Sequence, residues 1–338
     1  MRGLRERLAV GEVVLAAEGY LFELERRGYL KSGPYVPEVV LDFPDAVREL
    51  HREFLRAGSD VMVAFTYYGH REKLRMTGRE ADLEPLNRNA VRLAKEIAGD
   101  DALVAGNICN TWVYDPDAPE SSGEIVREMY REQIGWAAEE GVDFILSETN
   151  DYVGEALIGL EVIREHGLPA VVAFASTIDR TVDGFEFEEA CRRLEAEGAD
   201  VVGLNCSRGP ETMLPIIERI RAAVGCGVAA LPVPYRTTPA EPTFMSLRDD
   251  DGAMVFPIAL DSFLCTRFQA ADFALAARDA GVGYIGLCCG GAPHHVRAMA
   301  EALGRTVPAS RYSPDISLHP ILGENVKEKR KELYHWQD

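Results

Sequence analysis

Apolar positions along the chain fall into two alternating patterns. Near-continuous apolar runs occupy 13–17, 61–66, 103–108, 144–147, 170–175, 201–204, 228–231 and 284–287. Runs of this length without a polar alternation are what strands buried on both faces require. Between them lie stretches with a helical period, at 45–57, 84–98, 124–140, 155–166, 186–197, 211–223, 268–280 and 294–303. In 45–57, for instance, Val47, Leu50, Phe54 and Leu55 share one face while Arg48, Glu49, Arg52 and Glu53 lie elsewhere. A glycine (Gly58, Gly141, Gly198, Gly281) closes four of these helical stretches two or three residues before the next apolar run. Glycine just past a helix accepts the left-handed conformation that turns the chain into a strand.

Eight apolar runs alternating with eight helical stretches predict a closed (β/α)8 barrel, a single domain over residues 1–305. An open doubly wound sheet fits less well. No Gly-x-Gly-x-x-Gly follows the first run and there is no phosphate-binding loop. The Pro- and Asp-rich excursion 232–266, between the seventh and eighth strands, falls on the catalytic face and reads as a lid. Residues 306–338 are expected to form a C-terminal extension that packs on the barrel or joins a partner subunit.

Composition narrows the function classes. The chain has 338 residues with 55 acidic and 36 basic side chains, a net charge of −19. With no Lys/Arg stripe, nucleic acid and anionic membranes are not expected partners. The N-terminal segment has no apolar run of signal-peptide or membrane-helix length. Seven cysteines in such a chain point to a reducing, cytoplasmic compartment and away from a disulfide framework. Cys109, Cys191, Cys226 and Cys265 sit singly in apolar or helical contexts, as buried free thiols do.

The other three cysteines stand differently. Cys206 ends the sixth strand, and Cys288 and Cys289 end the eighth. Strand C-termini converge on one mouth of a barrel, so three sulfurs would face each other across the seventh strand. Small-residue packing and a vicinal disulfide are the alternatives. Adjacent strand residues point to opposite faces, so both Cys288 and Cys289 reach one point only if the chain twists sharply, which Gly286, Gly290 and Gly291 permit. Three thiolates and a vacancy make a catalytic Zn2+ site. Such a donor set leaves the metal a weak Lewis acid for water but deprotonates a bound thiol, favouring thiol alkylation over hydrolysis. His294 and His295, opening the last helix, read as a solvated pair.

These motifs resemble those of the homocysteine S-methyltransferases, whose zinc ligands lie in Gly-x-Asn-Cys and Gly-Gly-Cys-Cys-Gly. The counterparts here are Gly203, Asn205 and Cys206, and Gly286, Cys288, Cys289 and Gly290, with Leu287 in place of a glycine. The similarity is closest to the betaine–homocysteine enzymes, runs from about residue 4 to 336, and includes 24–29, 31–35, 50–58 and 65–68, with Tyr67. It implies methyl transfer from a betaine-like onium donor to a zinc-bound thiol such as homocysteine, giving methionine. Glu148 matches the family glutamate that holds the homocysteine amino group. Tyr68 matches a donor-contacting tyrosine, and Tyr35 stands where the family has a tryptophan. Trp112 and Tyr152 follow the third and fourth strands and are further candidates for an aromatic cage around the onium.

Two departures stand out. The family's Asp-Gly at the end of the first strand is Ala17-Glu18 here, followed by Gly19, and the tyrosine after the glutamate is Thr149. Zinc–thiolate chemistry with another donor or acceptor is therefore an alternative, as is a non-catalytic zinc barrel that binds methylated ammonium compounds. The family's long C-terminal arm lies beyond the similarity, so a homodimer is the expected assembly.

Overall fold

A computed structural model of the chain describes residues 2–175 and 177–323. Eight strands, β1 (Val14–Ala17), β2 (Val61–Val63), β3 (Leu103–Cys109), β4 (Phe144–Asn150), β5 (Ala170–Phe174), β6 (Val201–Asn205), β7 (Gly227–Leu231) and β8 (Tyr284–Leu287), each pair in parallel with the next. β8 pairs with β1 and closes the barrel. Every strand residue except Gly227 is buried, as the continuous apolar runs require. The expected (β/α)8 architecture is the observed one.

The recurring glycines adopt the expected left-handed conformation, with φ of 103° at Gly58, 77° at Gly141, 93° at Gly198 and 81° at Gly281. In three of the four phrases an aspartate follows two residues later and ties the strands together. Asp60, Asp143 and Asp200 accept the backbone N–H of Leu15, Val104 and Ala170 at 2.7, 2.7 and 2.9 Å. Each carboxylate thus satisfies an amide within the first two residues of the neighbouring strand, at the barrel's N-terminal rim.

Helix starts differ from the sequence expectation for a simple reason. Helices Pro44–Ala57, Pro119–Glu140, Pro210–Ala223 and Pro293–Ala302 each begin on proline. Proline at the first turn loses no helical hydrogen bond and presets φ. The periodic apolar face of 124–140 begins a turn after this start. Four α-helices among the described residues lie outside the alternation: Leu4–Ala9, Tyr20–Arg26, Val39–Asp42 and Arg71–Thr77. Leu4–Ala9 precedes β1 and brings Leu8 against Gly227 and Gly283 at the barrel floor. Tyr20–Arg26 follows β1 directly.

Residues 306–323 run back over the outside of the barrel. Val307 packs on Gly58, Arg297 donates to the carbonyls of Ala309 and Tyr312 at 3.4 Å, and Ser313 hydrogen-bonds Glu301. The remainder of the expected extension, 324–338, lies outside the described residues. No helix among the described residues is long and apolar enough to cross a membrane.

Candidate active site

The mouth of the barrel is a two-chambered site. An inner chamber of about 20 Å3 is lined by Glu18, Asn107, Glu148, Thr149 and the three cysteines, among others. An outer chamber of about 470 Å3 opens above it, and Tyr67, Thr149, Cys206 and Cys289 line both. Cys206 and Cys289 therefore sit at the throat, with Cys288 on its inner side.

Cys206 leaves β6 with φ 55° and Ser207 follows at 55°. The Cys206 amide donates to the Leu231 carbonyl at 2.9 Å, and Cys288 N–H donates to the Pro232 carbonyl at 2.9 Å. Both cysteines are thus tied to the end of β7, which lies between their own strands. Gly291 N–H returns to the Cys288 carbonyl at 2.8 Å, the sharp turn the glycines were expected to allow. The three Sγ atoms lie within 4.8 Å of one another, with Cys288 and Cys289 3.9 Å apart. A tetrahedral zinc with sulfur at about 2.3 Å needs sulfur–sulfur edges of about 3.8 Å. With every sulfur pair inside 4.8 Å, the set fits a metal with a closure of at most about 1 Å.

The charge state of the sulfurs points the same way. Hydrogen bonds from Cys288 and Cys289 push the Cys206 thiol well down, and the same bonds push Cys288 and Cys289 well up. Deprotonating all three requires a positive ion among them.

Glu148 sits in an irregular stretch of β4, where the register with β5 shifts between Ser147 and Asn150 and Thr149 takes φ 53°. A bulge of this kind re-aims a side chain. Asn107 from β3 and Asn205 from β6 donate to its two oxygens at 2.7 and 3.0 Å, and Asn205 Oδ1 accepts the Thr149 amide at 2.8 Å. Burial and the neighbouring Cys288 push the Glu148 carboxyl up to about 8. Glu18 is also buried, yet neither of its oxygens has a partner. One carboxylate oxygen of Glu18 and one of Glu148 lie within 4.8 Å of each other and of Cys288 Sγ. Burial and then the Glu148 charge hold Glu18 well above the carboxylate range. Two buried carboxyls facing one small space make a seat for a cation.

Six non-glycine residues among those described have positive φ: Tyr35, Tyr68, Trp112, Thr149, Cys206 and Ser207. All six line the outer chamber. Left-handed backbone costs an ordinary residue about 1–3 kcal/mol, and such strain concentrates where ligands bind.

The chain matches the profile of the homocysteine S-methyltransferase family over residues 19–303. It belongs to that family. It is a methyltransferase of the homocysteine S-methyltransferase type. Its relatives include the S-methylmethionine–homocysteine S-methyltransferase BHMT2 of Pongo abelii, 38% identical over 89% of this chain and 81% of that protein. Another is betaine–homocysteine S-methyltransferase 1 of Xenopus laevis, 37% identical over 89% of this chain and 75% of that one. The homocysteine methyltransferase MmuM of Escherichia coli, 19% identical, shares the fold with a TM-score of 0.69 over 88% of this chain and 99% of its own.

For a family member, the site residues expected from sequence divide by position. Cys206, Cys288, Cys289, Glu18, Glu148 and Thr149 line the inner chamber, while Tyr35, Tyr67, Tyr68 and Trp112 line the outer one. Asn205 lies behind, as the support of Glu148. Tyr152 turns away from the chamber and packs on Tyr114 at 5.4 Å between ring centres. Of the pair His294 and His295, the first is exposed as expected and the second is not. His295 is buried, with Nδ1 accepting the Ala292 amide at 3.2 Å and Nε2 3.0 Å from the Cys265 carbonyl. Segment 232–266 forms a wall of the outer chamber through Phe244, Met245 and Phe256, and the Phe244 amide donates to the Ser207 carbonyl at 2.8 Å.

Sequence reasoning missed Asn107, Lys73, Asn110 and Asp151, which also line the chambers. Asn107 carried a signal: it is the polar residue in the otherwise apolar run 103–108. Lys73 and Asp151 carried none, since each lies in a charged, solvent-like context.

Gly19 holds the site together by having no side chain. A Cβ there would lie 1.8 Å from the Gly291 carbonyl oxygen, inside the turn that carries Cys288 and Cys289. Gly19→Ala is expected to lower stability by about 3 kcal/mol, since overpacking against backbone has no side-chain relief. The urea midpoint of the purified protein checks this, and an unchanged midpoint would contradict the close approach.

Proposed function

We propose that the chain is a zinc-dependent S-methyltransferase that moves a methyl group from a betaine-like onium donor to homocysteine, giving methionine. The observation that carries the reading is the trio of clustered sulfurs, of which Cys206 and Cys289 line both chambers and Cys288 the inner one. Cys206, Cys288 and Cys289 would hold the metal, which when bound lowers the pKa of a substrate thiol so that it reacts as thiolate at neutral pH.

The remaining work belongs to the protein's own groups. Glu148, fixed by Asn107 and Asn205, offers a carboxylate to the homocysteine ammonium in the inner chamber. The outer chamber places the donor's methyl over the throat and excludes water with Leu21, Phe22, Phe244 and Phe256. The homocysteine sulfur gives its electron pair to the methyl carbon, and the bond from that carbon to the onium heteroatom breaks. The heteroatom keeps the pair and leaves neutral. The thiol proton has gone to solvent beforehand, so charge and atoms balance.

A second reading keeps this chemistry with another acceptor. It is favoured by the inner chamber, whose volume of about 20 Å3 holds about one water with Glu18 in place. Zinc content of the purified protein, followed by methionine formation from homocysteine with betaine and with S-methylmethionine, separates the two. Stoichiometric zinc and methionine are expected. Zinc with no methionine from either donor, but methylation of a smaller thiol, would move the assignment to the second reading.

A further inference from the structure

The aromatic faces that would hold an onium group are already occupied by a cation of the protein. Lys73, on the helix Arg71–Thr77, reaches into the outer chamber. Its Nζ lies 4.3 Å from the ring centre of Tyr68 and 4.7 Å from that of Trp112. Both rings are carried on left-handed residues, with φ 57° and 66°. The ammonium makes no ion pair with a carboxylate among the described residues, although Asp151 lines the same chamber. Asp151 is instead held by Asn110, whose side-chain amide donates to it at 2.5 Å.

An unpaired ammonium fixed in a half-apolar chamber repels a purely cationic ligand and attracts an anionic group. A donor that is only a cation would meet Lys73 on the two rings it needs. A donor that carries its own carboxylate would place it on Lys73 and leave its onium methyl nearer the throat, towards Tyr67. We propose that Lys73 is a specificity-determining residue that selects methyl donors bearing a carboxylate, and that it anchors that carboxylate in the outer chamber. The inference rests on the proposed methyl transfer and narrows its donor to zwitterionic onium compounds. Two sources share that chemistry: a betaine, and a sulfonium amino acid whose additional α-ammonium would face Asp151.

The test measures kcat/KM with homocysteine and three donors: glycine betaine, S-methylmethionine and the carboxylate-free trimethylsulfonium ion. In Lys73→Met, which keeps the apolar stem, the ratio of kcat/KM for either carboxylate donor to that for trimethylsulfonium is expected to fall at least about tenfold. The change should lie in the donor KM, with zinc content and the homocysteine KM unmoved, and Lys73→Arg should restore most of the ratio. Asp151→Asn separates the sources, because it weakens S-methylmethionine and spares betaine only if the α-ammonium is read there. An equal change for all three donors, or none, overturns the proposal. Calorimetric binding of glycine betaine and S-methylmethionine to the same variants distinguishes failure of the underlying reaction. Lys73-dependent binding without methyl transfer would remove the reaction and keep the anchor, whereas no binding of either compound to the wild-type chain removes the anchor.

Discussion

Cys206→Ala is expected to abolish zinc retention and to reduce methionine formation by at least about a thousandfold. A catalytic metal contributes several kcal/mol to its reaction, and each 1.36 kcal/mol is a factor of ten in rate. Cys206 is the sulfur that both others hydrogen-bond, and its thiol is the one pushed down. Removing it leaves two sulfurs where the metal needs three protein ligands, so a dication is held weakly. The fold should survive, because alanine fits a buried site whose backbone is fixed by the Leu231 carbonyl. The positive φ at Cys206 costs alanine no more than it costs cysteine. The measurements are zinc by elemental analysis, circular dichroism, and methionine formation at saturating homocysteine and donor. A variant that keeps its zinc, or keeps its rate after losing it, would remove the metal from the proposed reaction.

The cysteine trio was legible because barrel topology turns sequence position into spatial position. Once eight apolar runs are counted, residues that end the sixth and eighth must meet at one mouth, whatever the loops do. Strand boundaries were less legible, and the errors cluster where function sits. β2 stops at Val63, after which Thr66 donates its hydroxyl to the Asn107 carbonyl at 2.6 Å, while β3 and β4 run on to Cys109 and Asn150. Polar residues such as Glu148 and Asn150 looked like strand ends in sequence. In the fold they are strand residues whose side chains are satisfied inside the barrel: Asn150 bonds the Ala173 carbonyl at 2.9 Å.

Lys73 and His295 were illegible for a related reason. A lysine between Glu72 and Leu74 on a short helix looks like a solvated charge, and only the left-handed turns at Tyr68 and Trp112 bring two ring faces over it. His295 follows another histidine at a helix start, and its burial depends on the Cys265 carbonyl, supplied from 30 residues away. Both features come from loop geometry, which hydrophobic periodicity does not encode.

Glu148→Gln is expected to raise the homocysteine KM about a hundredfold, with a smaller effect on kcat. Truncating one charge of a buried, hydrogen-bonded pair costs about 2–5 kcal/mol. The ammonium is held alike in ground and transition states, so the loss appears as binding. Glutamine should not disturb the local structure, because Asn107 Oδ1 is buried without a partner and an amide flip lets it accept from the new NH2 group. Glu18→Gln is the informative comparison. Glu18 is not anchored by any donor, so its contribution to a rigid ammonium seat is expected to be the lesser one. The metal-stripped chain gives an independent reading of the same carboxyl. Glu148 titrates at about 8 in the fold against 4.5 as the ordinary value, chiefly through burial. Between those values the folded chain binds more protons than the unfolded one, so stability is greatest at the acidic end and falls as pH rises through the window. Glu18, also raised, acts with the same sign. The urea midpoint of the stripped wild type should therefore drop between about pH 5.5 and 8, and the drop should be shallower in Glu148→Gln, which has no proton to lose. A homocysteine KM that is unchanged, together with parallel pH profiles for the two proteins, would show that Glu148 is neither the ammonium seat nor the group that titrates.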